Sequence, residues 1–548
     1  MNIPETSPAF PPVPRSKRLL RWIFSLRALR AGGFAFAALV TLLVLAVTLY
    51  NFSAQREWLK VKRDLEKSGV PLSIKDTVPP ELPDDQNLAM TPILAPLFKV
   101  QAIVNGKEIW ADKEGRDALI SAGSGALCIN DAGASGNMGR KAPQLGDWRV
   151  GEPTDLVEWQ DYYRETKDFP SPEKPGTAGN DVLFALARDK VAIEELDAAV
   201  LARPQARFNL RYAHDNPSHI LLPHLAILKR FVQYCQLSSI ALLAEDRPTE
   251  AVGRFTTGFR LMNAVESESL LISHLVRIAA WHILSQVVWQ GLASGSWKAE
   301  ELAKLQPMIE ALDFIEAGRK SMITERSFGN AMMERWVSSP GTITTDLDPN
   351  ATNPMGPMQD LAGWVLPRGL IRRNQVAYHQ CAGVMIELWG RIRKPDGSYQ
   401  RLTQSEVDAA IQPHISPVTM NNRIVAMLVP GLRGVLAKSQ LAQAGRDLAL
   451  VAIALERHRL EKGAYPDRLE HLTPAFLTKV PGDVFSGAAL QYSKRADGTF
   501  LLYSVGIDGV DQKGTRPASK NEVTASAKGS DETSGSDDVV WEYSKLEE

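Results

Sequence analysis

Cysteine is scarce in this 548-residue chain: Cys128, Cys235 and Cys381 lie more than a hundred residues apart. That spacing excludes a disulfide framework, a paired zinc motif and a CxxC redox centre, and leaves room for one disulfide at most. Cys235 and Cys381 sit among apolar helical residues and read as buried structural thiols. Charge of one sign is missing too, since 62 Lys and Arg balance 63 Asp and Glu. No large field steers the chain to nucleic acid, and none is expected as a partner. Catalytic signatures are also lacking. The glycines of "GASGNMGRK" lack the spacing of a phosphate loop, and Gly133-Ala-Ser135-Gly136 runs into Asn137 instead of completing a nucleophile elbow. His214, His219 and His224 recur at intervals of five, which turns successive rings about 140° around a helix and gives them no shared face. His274 and His282 fall in a very apolar stretch and read as core histidines. Asp447 and Glu456, like Glu194 and Glu195, read as solvated helix faces.

Long hydrophobic runs are likewise rare, and one dominates. Residues 33–50 read "GFAFAALVTLLVLAVTLY", eighteen positions without a charge. As a helix they reach about 27 Å, just enough for a hydrocarbon core of about 30 Å. Arg15, Lys17, Arg18, Arg21, Arg27 and Arg30 precede the run, so the positive-inside tendency holds the amino terminus in the cytoplasm. Arg56, Lys60, Lys62, Arg63 and Lys67 follow it and weaken that bias without reversing it. A removable signal peptide is the rival reading. The run is longer than a typical apolar signal core of about 7–15 residues, and no A-x-A site follows in "YNFSAQ". The expectation is an uncleaved single-pass anchor, residues 33–52, in contact with the bilayer. Residues 1–32 form a Pro-rich, basic cytoplasmic tail, and the bulk of the chain faces outward.

Beyond the anchor, residues 53–83 read as a juxtamembrane helix and a Pro-rich linker. Residues 84–180 are irregular, with Trp110, Trp148 and Trp159 scattered among glycine-rich loops. Helical periodicity dominates 181–440, interrupted by a long loop over 337–372. "SLLISHLVRIAAWHILSQVVWQGLA" is apolar on nearly every face and predicts a buried central helix. Arg247-Pro248 marks a helix start, and Thr403 with Glu406 has capping-box spacing. A helix pair over 233–261 has the small residues of a tetratricopeptide unit, but no second copy recurs at a fixed period. From Leu441 an amphipathic helix is expected to close at Gly463. Two strands follow, "LQYSK" and "TFLLYSV", joined by an Asp497-Gly498 turn. The expected fold class is mainly α: an N-terminal transmembrane helix, the irregular region, an antiparallel helical bundle or short solenoid, and a small C-terminal α+β module over 441–548 with a polar insert at 515–536.

That module carries "GAYP", an Asp483-Val-Phe485-Ser-Gly487 run, a hairpin, "YSVGIDG", and Asp537-Asp538 shortly before Trp541. In these features it resembles the major pseudopilin of type II secretion systems. The whole chain, with "PDDQNLAMTPILAPLF" and "LISHLVRI", resembles a family of uncharacterised bacterial single-pass membrane proteins with a pseudopilin-like end. The chain departs from true pseudopilins: some 390 residues separate Tyr50 from Leu441, and Ala38 stands where that family needs glutamate after its cleavage site. The resemblance implies a bacterial inner-membrane protein, periplasmic for most of its length, with an envelope protein as partner. It also implies a calcium site, carried by Asp508 and the Asp537-Asp538 pair. From the residues alone Asp508, Asp511, Asp537 and Asp538 could supply charge to calcium, or the Asp-Gly steps could simply make turns. Function is open between a scaffold or binding protein and an extracytoplasmic, hydrolase-like enzyme.

Overall fold

The computed structural model describes residues 26–104, 107–121, 142–166, 169–210, 212, 220, 222–343, 346, 366–517 and 538–542. Its helices are α1 (Leu26–Lys67), α2 (Lys113–Ser121), α3 (Leu156–Glu165), α4 (Ala178–Leu186), α5 (Lys190–Ala202), α6 (Pro223–Ala244), α7 (Pro248–Ala264) and α8 (Leu271–Ala293). They continue with α9 (Ala299–Glu310), α10 (Phe314–Ser338), α11 (Arg368–Ile392), α12 (Gln404–Ile415) and α13 (Arg423–Lys462). The strands are β1 (Val100–Val104), β2 (Lys107–Trp110), β3 (Gln491–Lys494), β4 (Phe500–Ser504) and β5 (Val539–Trp541). Two compact units result, Met1–Asp64 with Trp336–Val376, and Leu65–Arg335 with Ala377–Glu548.

The first unit is built on α1, 42 residues long. The run expected to cross the membrane is helical throughout, and none of its apolar window is buried inside the protein. Its two threonines bond within the helix, Thr41 Oγ1 to the Ala37 carbonyl at 2.8 Å and Thr48 Oγ1 to that of Val44 at 2.7 Å. Neither hydroxyl then needs water, as a lipid surrounding demands. Polar contacts begin where the charge-free run ends. Asn51 Oδ1 accepts from the Gly369 N–H at 2.7 Å, and Arg373 donates to Glu57 at 2.7 Å and to Ser53 at 3.2 Å. A Cβ on Gly369 would stand 2.7 Å from the Tyr50 ring, so only glycine lets the start of α11 approach α1 this closely.

The second unit packs α6, α7 and α8 against one another around a large apolar core. Pro248 opens α7 as its position before the apolar run predicts, and α8 is the buried central helix expected from its uninterrupted apolar surface. A Cβ on Gly258 would meet the Cys235 Cβ at 3.0 Å and Leu284 at 2.9 Å, so glycine there lets α6, α7 and α8 approach closely. Cys235 and Cys381 are buried and unpaired, and burial raises their thiols to about 12 and about 11. Cys128 lies outside the described residues.

Three regions differ from the pattern in the sequence. Residues 84–180 are not featureless: they hold the antiparallel pair β1–β2, with α2 and α3. Trp148 and Trp159, both buried, tie this region to the core, so distant packing orders it where local periodicity is silent. Within the loop expected at 337–372, α11 already begins at Arg368. The last helix starts at Arg423, eighteen residues before Leu441, and runs through Pro430. Pro430 is exposed, so the carbonyl that loses its helical partner there can bond to water.

At the other end Gly463 closes α13 with φ of 84°. β3 and β4 pair through the Asp497-Gly498 turn, and β5 adds to the free edge of β4. Trp541 packs on Trp148 with ring centroids 4.8 Å apart, and Trp289 Nε1 donates to the Glu542 carbonyl at 2.9 Å. Residues 448–455 of α13 are buried throughout, against α8 and α9 as well as the small sheet. The helix and hairpin therefore share one core with the helical region.

Candidate functional site

The aspartate loop lies beyond β4. Asp508 Oδ1 accepts from the Val510 N–H at 2.9 Å, and Asp511 Oδ1 from the Lys513 N–H at 2.7 Å and the Tyr503 hydroxyl at 2.9 Å. A carboxylate bonded to the N–H two residues ahead is the signature of an Asx turn. Asp538 is buried beside them and accepts from the Gly514 N–H at 2.8 Å. Burial, with the negative charges of Asp511 and Asp508, pushes Asp538 up to about 6 against its backbone hydrogen bonds. Asp537 lies outside the described residues, as does most of the 515–536 insert. Among the described residues no group of three or more His, Cys, Asp or Glu side chains is arranged to hold a metal ion. Asp508, Asp511 and Asp538 are thus brought together as turn and strand-end acceptors.

A pH titration reads this directly. The neutral form of Asp538 is favoured in the folded state, so its contribution to stability is full below about 3.9, the unfolded value, and is lost as pH rises through about 6. Asp538→Asn keeps a neutral side chain throughout, and its melting temperature should gain on the parent across that window. The same curves should be unmoved by calcium. Coordination needs the ionised carboxylate, so a calcium-dependent rise in the parent that vanishes in the variant would mean a metal instead.

Asp483, in the run that carries the pseudopilin likeness, is a hub. Its two oxygens accept from the Phe485 N–H (2.9 Å), the Ser486 hydroxyl (3.1 Å), the Ser504 hydroxyl (2.7 Å) and the Val505 N–H (3.1 Å). One carboxylate thereby pins the 483–487 turn to the end of β4.

Between this module and the rest of its unit lies a cleft of about 800 Å³, walled by Arg393, Tyr399, Arg446, Arg468 and Lys479 among others. Behind it stands Asp447, fully buried. Asp447 accepts from the Tyr399 hydroxyl at 2.7 Å, Arg446 Nη1 at 2.5 Å and Gln443 Nε2 at 3.3 Å. Arg446 also donates to the Ile309 carbonyl at 2.9 Å, and Gln443 Oε1 accepts from the Phe314 N–H at 2.9 Å. Burial raises the Asp447 carboxyl despite Arg446, and burial together with the Asp447 charge raises the Tyr399 phenol. Asp447 and Glu456 are therefore not on a solvated face: both are buried, Glu456 receiving the Tyr465 hydroxyl at 2.8 Å and Arg459. Helical spacing alone misplaced them because the partner of Asp447, Tyr399, arrives from 48 residues away. The ionisable groups behind the cleft hold α9, α10, α13 and the 393–399 turn together, while its wall carries Arg468 and Lys479 beside the acidic Glu310, Asp467 and Glu470.

His224 and His274 are buried and engaged in packing. His224 Nε2 lies 2.5 Å from Glu268 Oε1, both buried, with its ring stacked on Phe208 at 4.2 Å. Ser273 donates to the other oxygen of Glu268. The carboxylate stands between serine and imidazole, so the ring cannot take the serine proton as a nucleophilic triad requires. His274 Nε2 meets Ser439 Oγ at 2.9 Å, while Ser439 donates to the Val435 carbonyl at 2.9 Å. The ring nitrogen is then the donor, not a base. Burial first, and Arg277 second, lower His274 to about 3. His214 and His219 lie outside the described residues. A second cavity, about 630 Å³, combines Phe259, Leu88 and Met308 with Arg203, Arg207 and Arg260 and with Glu81 and Glu266.

No protein family, curated protein or solved structure matches the chain. Function therefore rests on the geometry above.

Proposed function

We propose that this chain is a single-pass inner-membrane protein that presents an extracytoplasmic binding surface, acting as a scaffold for a protein partner in the bacterial envelope. The observation that carries the reading is α1, none of whose charge-free run is buried within the protein. Apolar surface of that extent needs a covering, and its length matches a bilayer. The amino terminus lies in the cytoplasm by the basic residues before the run. The helix, Asp483 turn and hairpin support a pseudopilin-like module, and such a module suits association with a secretion-type apparatus. The cleft beside it favours binding over catalysis: Asp447 and Tyr399 are engaged in holding the fold, and Arg468 and Lys479 alternate with Asp467 and Glu470 on its wall, which suits a polar partner segment carrying both signs of charge.

A photo-crosslinking residue at Lys479 tests this in growing cells. One discrete adduct from the cleft, absent when the residue is placed at the exposed Glu461 on α13, is the expected result. Equal labelling from both positions, or none from the cleft, would contradict a scaffold that binds there.

A further inference from the structure

The loop between α12 and α13, and the first turns of α13, expose large apolar side chains: Val418 is 62% exposed, Met427 73% and Leu428 45%. Along the chain the charge around them is of one sign. From Asp408 to Asp447 the sequence holds no acidic residue between those two, while Arg423, Arg433, Lys438 and Arg446 fall in the interval. Arg433 is paired with Asp408 at 2.9 Å, and Arg423 is exposed among the apolar residues.

The register of the helices locates this tip. Gln443 of α13 bonds to the Phe314 N–H of α10, and Ser439 lies beside Gly318. Four residues back along α13 correspond to four forward along α10, so the two run antiparallel. Continued at the same step, Met427 falls level with Asn330. Asn330 Nδ2 donates to the Leu72 carbonyl at 2.8 Å, and Ser327 Oγ to that of Pro71 at 2.9 Å. These carbonyls belong to the chain just after α1 ends at Lys67. The exposed tip thus lies at the end of its unit where the chain enters from the anchor helix.

We infer that residues 416–428 form a second membrane contact, an interfacial wedge that sets Val418, Met427 and Leu428 into the headgroup–acyl boundary of an anionic lipid surface, with Arg423 at the phosphates. Exposed apolar side chains with a cation among them, here Arg423, are the composition of an interfacial segment. The wedge rests on the reading of α1 as an anchor, because a tether holds the tip near lipid and lets a weak contact persist. Its role is to fix the tilt of the outward-facing unit, which a single helix leaves free.

The test is amide hydrogen exchange of the full chain in detergent, in lipid nanodiscs of zwitterionic lipid, and in nanodiscs containing phosphatidylglycerol. Exchange across 416–428 should slow several-fold in the anionic discs, less in the zwitterionic ones, and return to the detergent rate in the variant Val418→Ser/Met427→Ser/Leu428→Ser. Unchanged exchange in a chain that has entered the discs would overturn the wedge alone. Protection that instead follows protein concentration in detergent would assign the tip to a second copy and also overturn it. A chain that never enters the discs would overturn the anchor, and the wedge with it.

Discussion

Asp447→Ala should destabilise the folded protein by about 3–5 kcal/mol, the range for removing one partner of a buried ion pair. Asp447 receives Tyr399, Arg446 and Gln443 in a site without solvent access. Truncation leaves the Arg446 guanidinium buried without its countercharge, and leaves the Tyr399 hydroxyl without its acceptor. The removed group is much smaller than the consequence, because the loss is dominated by what stays behind. Denaturant unfolding of the detergent-solubilised protein, followed by tryptophan fluorescence, measures it. The pair Arg446→Met with Asp447→Leu should recover much of the loss, since replacing both charges by apolar side chains removes the orphan. A cost below about 1 kcal/mol for the single variant, the range of exposed pairs, would mean that water reaches the network from the cleft.

The second large effect lies in α1. Leu42→Arg with Leu43→Arg places two guanidinium groups near the middle of the charge-free run, each costing about 2.5–3.5 kcal/mol at the centre of a spanning helix. Leu42 and Leu43 are 65% and 62% exposed within the protein, so the substitutions do not disturb a protein core. Two such costs should remove the chain from the alkali-resistant membrane fraction almost entirely. Arginines at Arg56 and beyond are tolerated because they lie past the run, where Glu57 already pairs with Arg373 at 2.7 Å. Retention of the double variant in the membrane fraction would show that something other than this helix holds the protein there.

Features that depend on neighbouring residues were legible in the sequence. Thr403 and Glu406 form the capping box that their spacing predicts, Gly463 ends its helix in the left-handed region, and Asp497-Gly498 turns the hairpin. The buried nature of α8 followed from its unbroken apolar surface. What could not be read depends on residues far apart in the chain. Asp447 looks like any charged position on a helix until Tyr399 and Arg446 close over it. Asp483 gains its meaning from Ser504, 21 residues on, and β5 joins β4 only after the long polar insert. The early start of α13 was hidden by Pro430, a residue that usually ends a helix. Of the aspartate loop, the turn chemistry was visible in the Asp-Gly steps, whereas the burial that raises Asp538 arises from the fold.

The most direct measurement is labelling of Val510→Cys, an exposed position beyond β4, with a membrane-impermeant maleimide on intact spheroplasts, followed by the mass of the labelled chain. An N-in anchor that stays attached predicts labelling without lysis, on a polypeptide that still contains residues 33–52. Labelling only after lysis, or a labelled chain that begins behind residue 52, would contradict it.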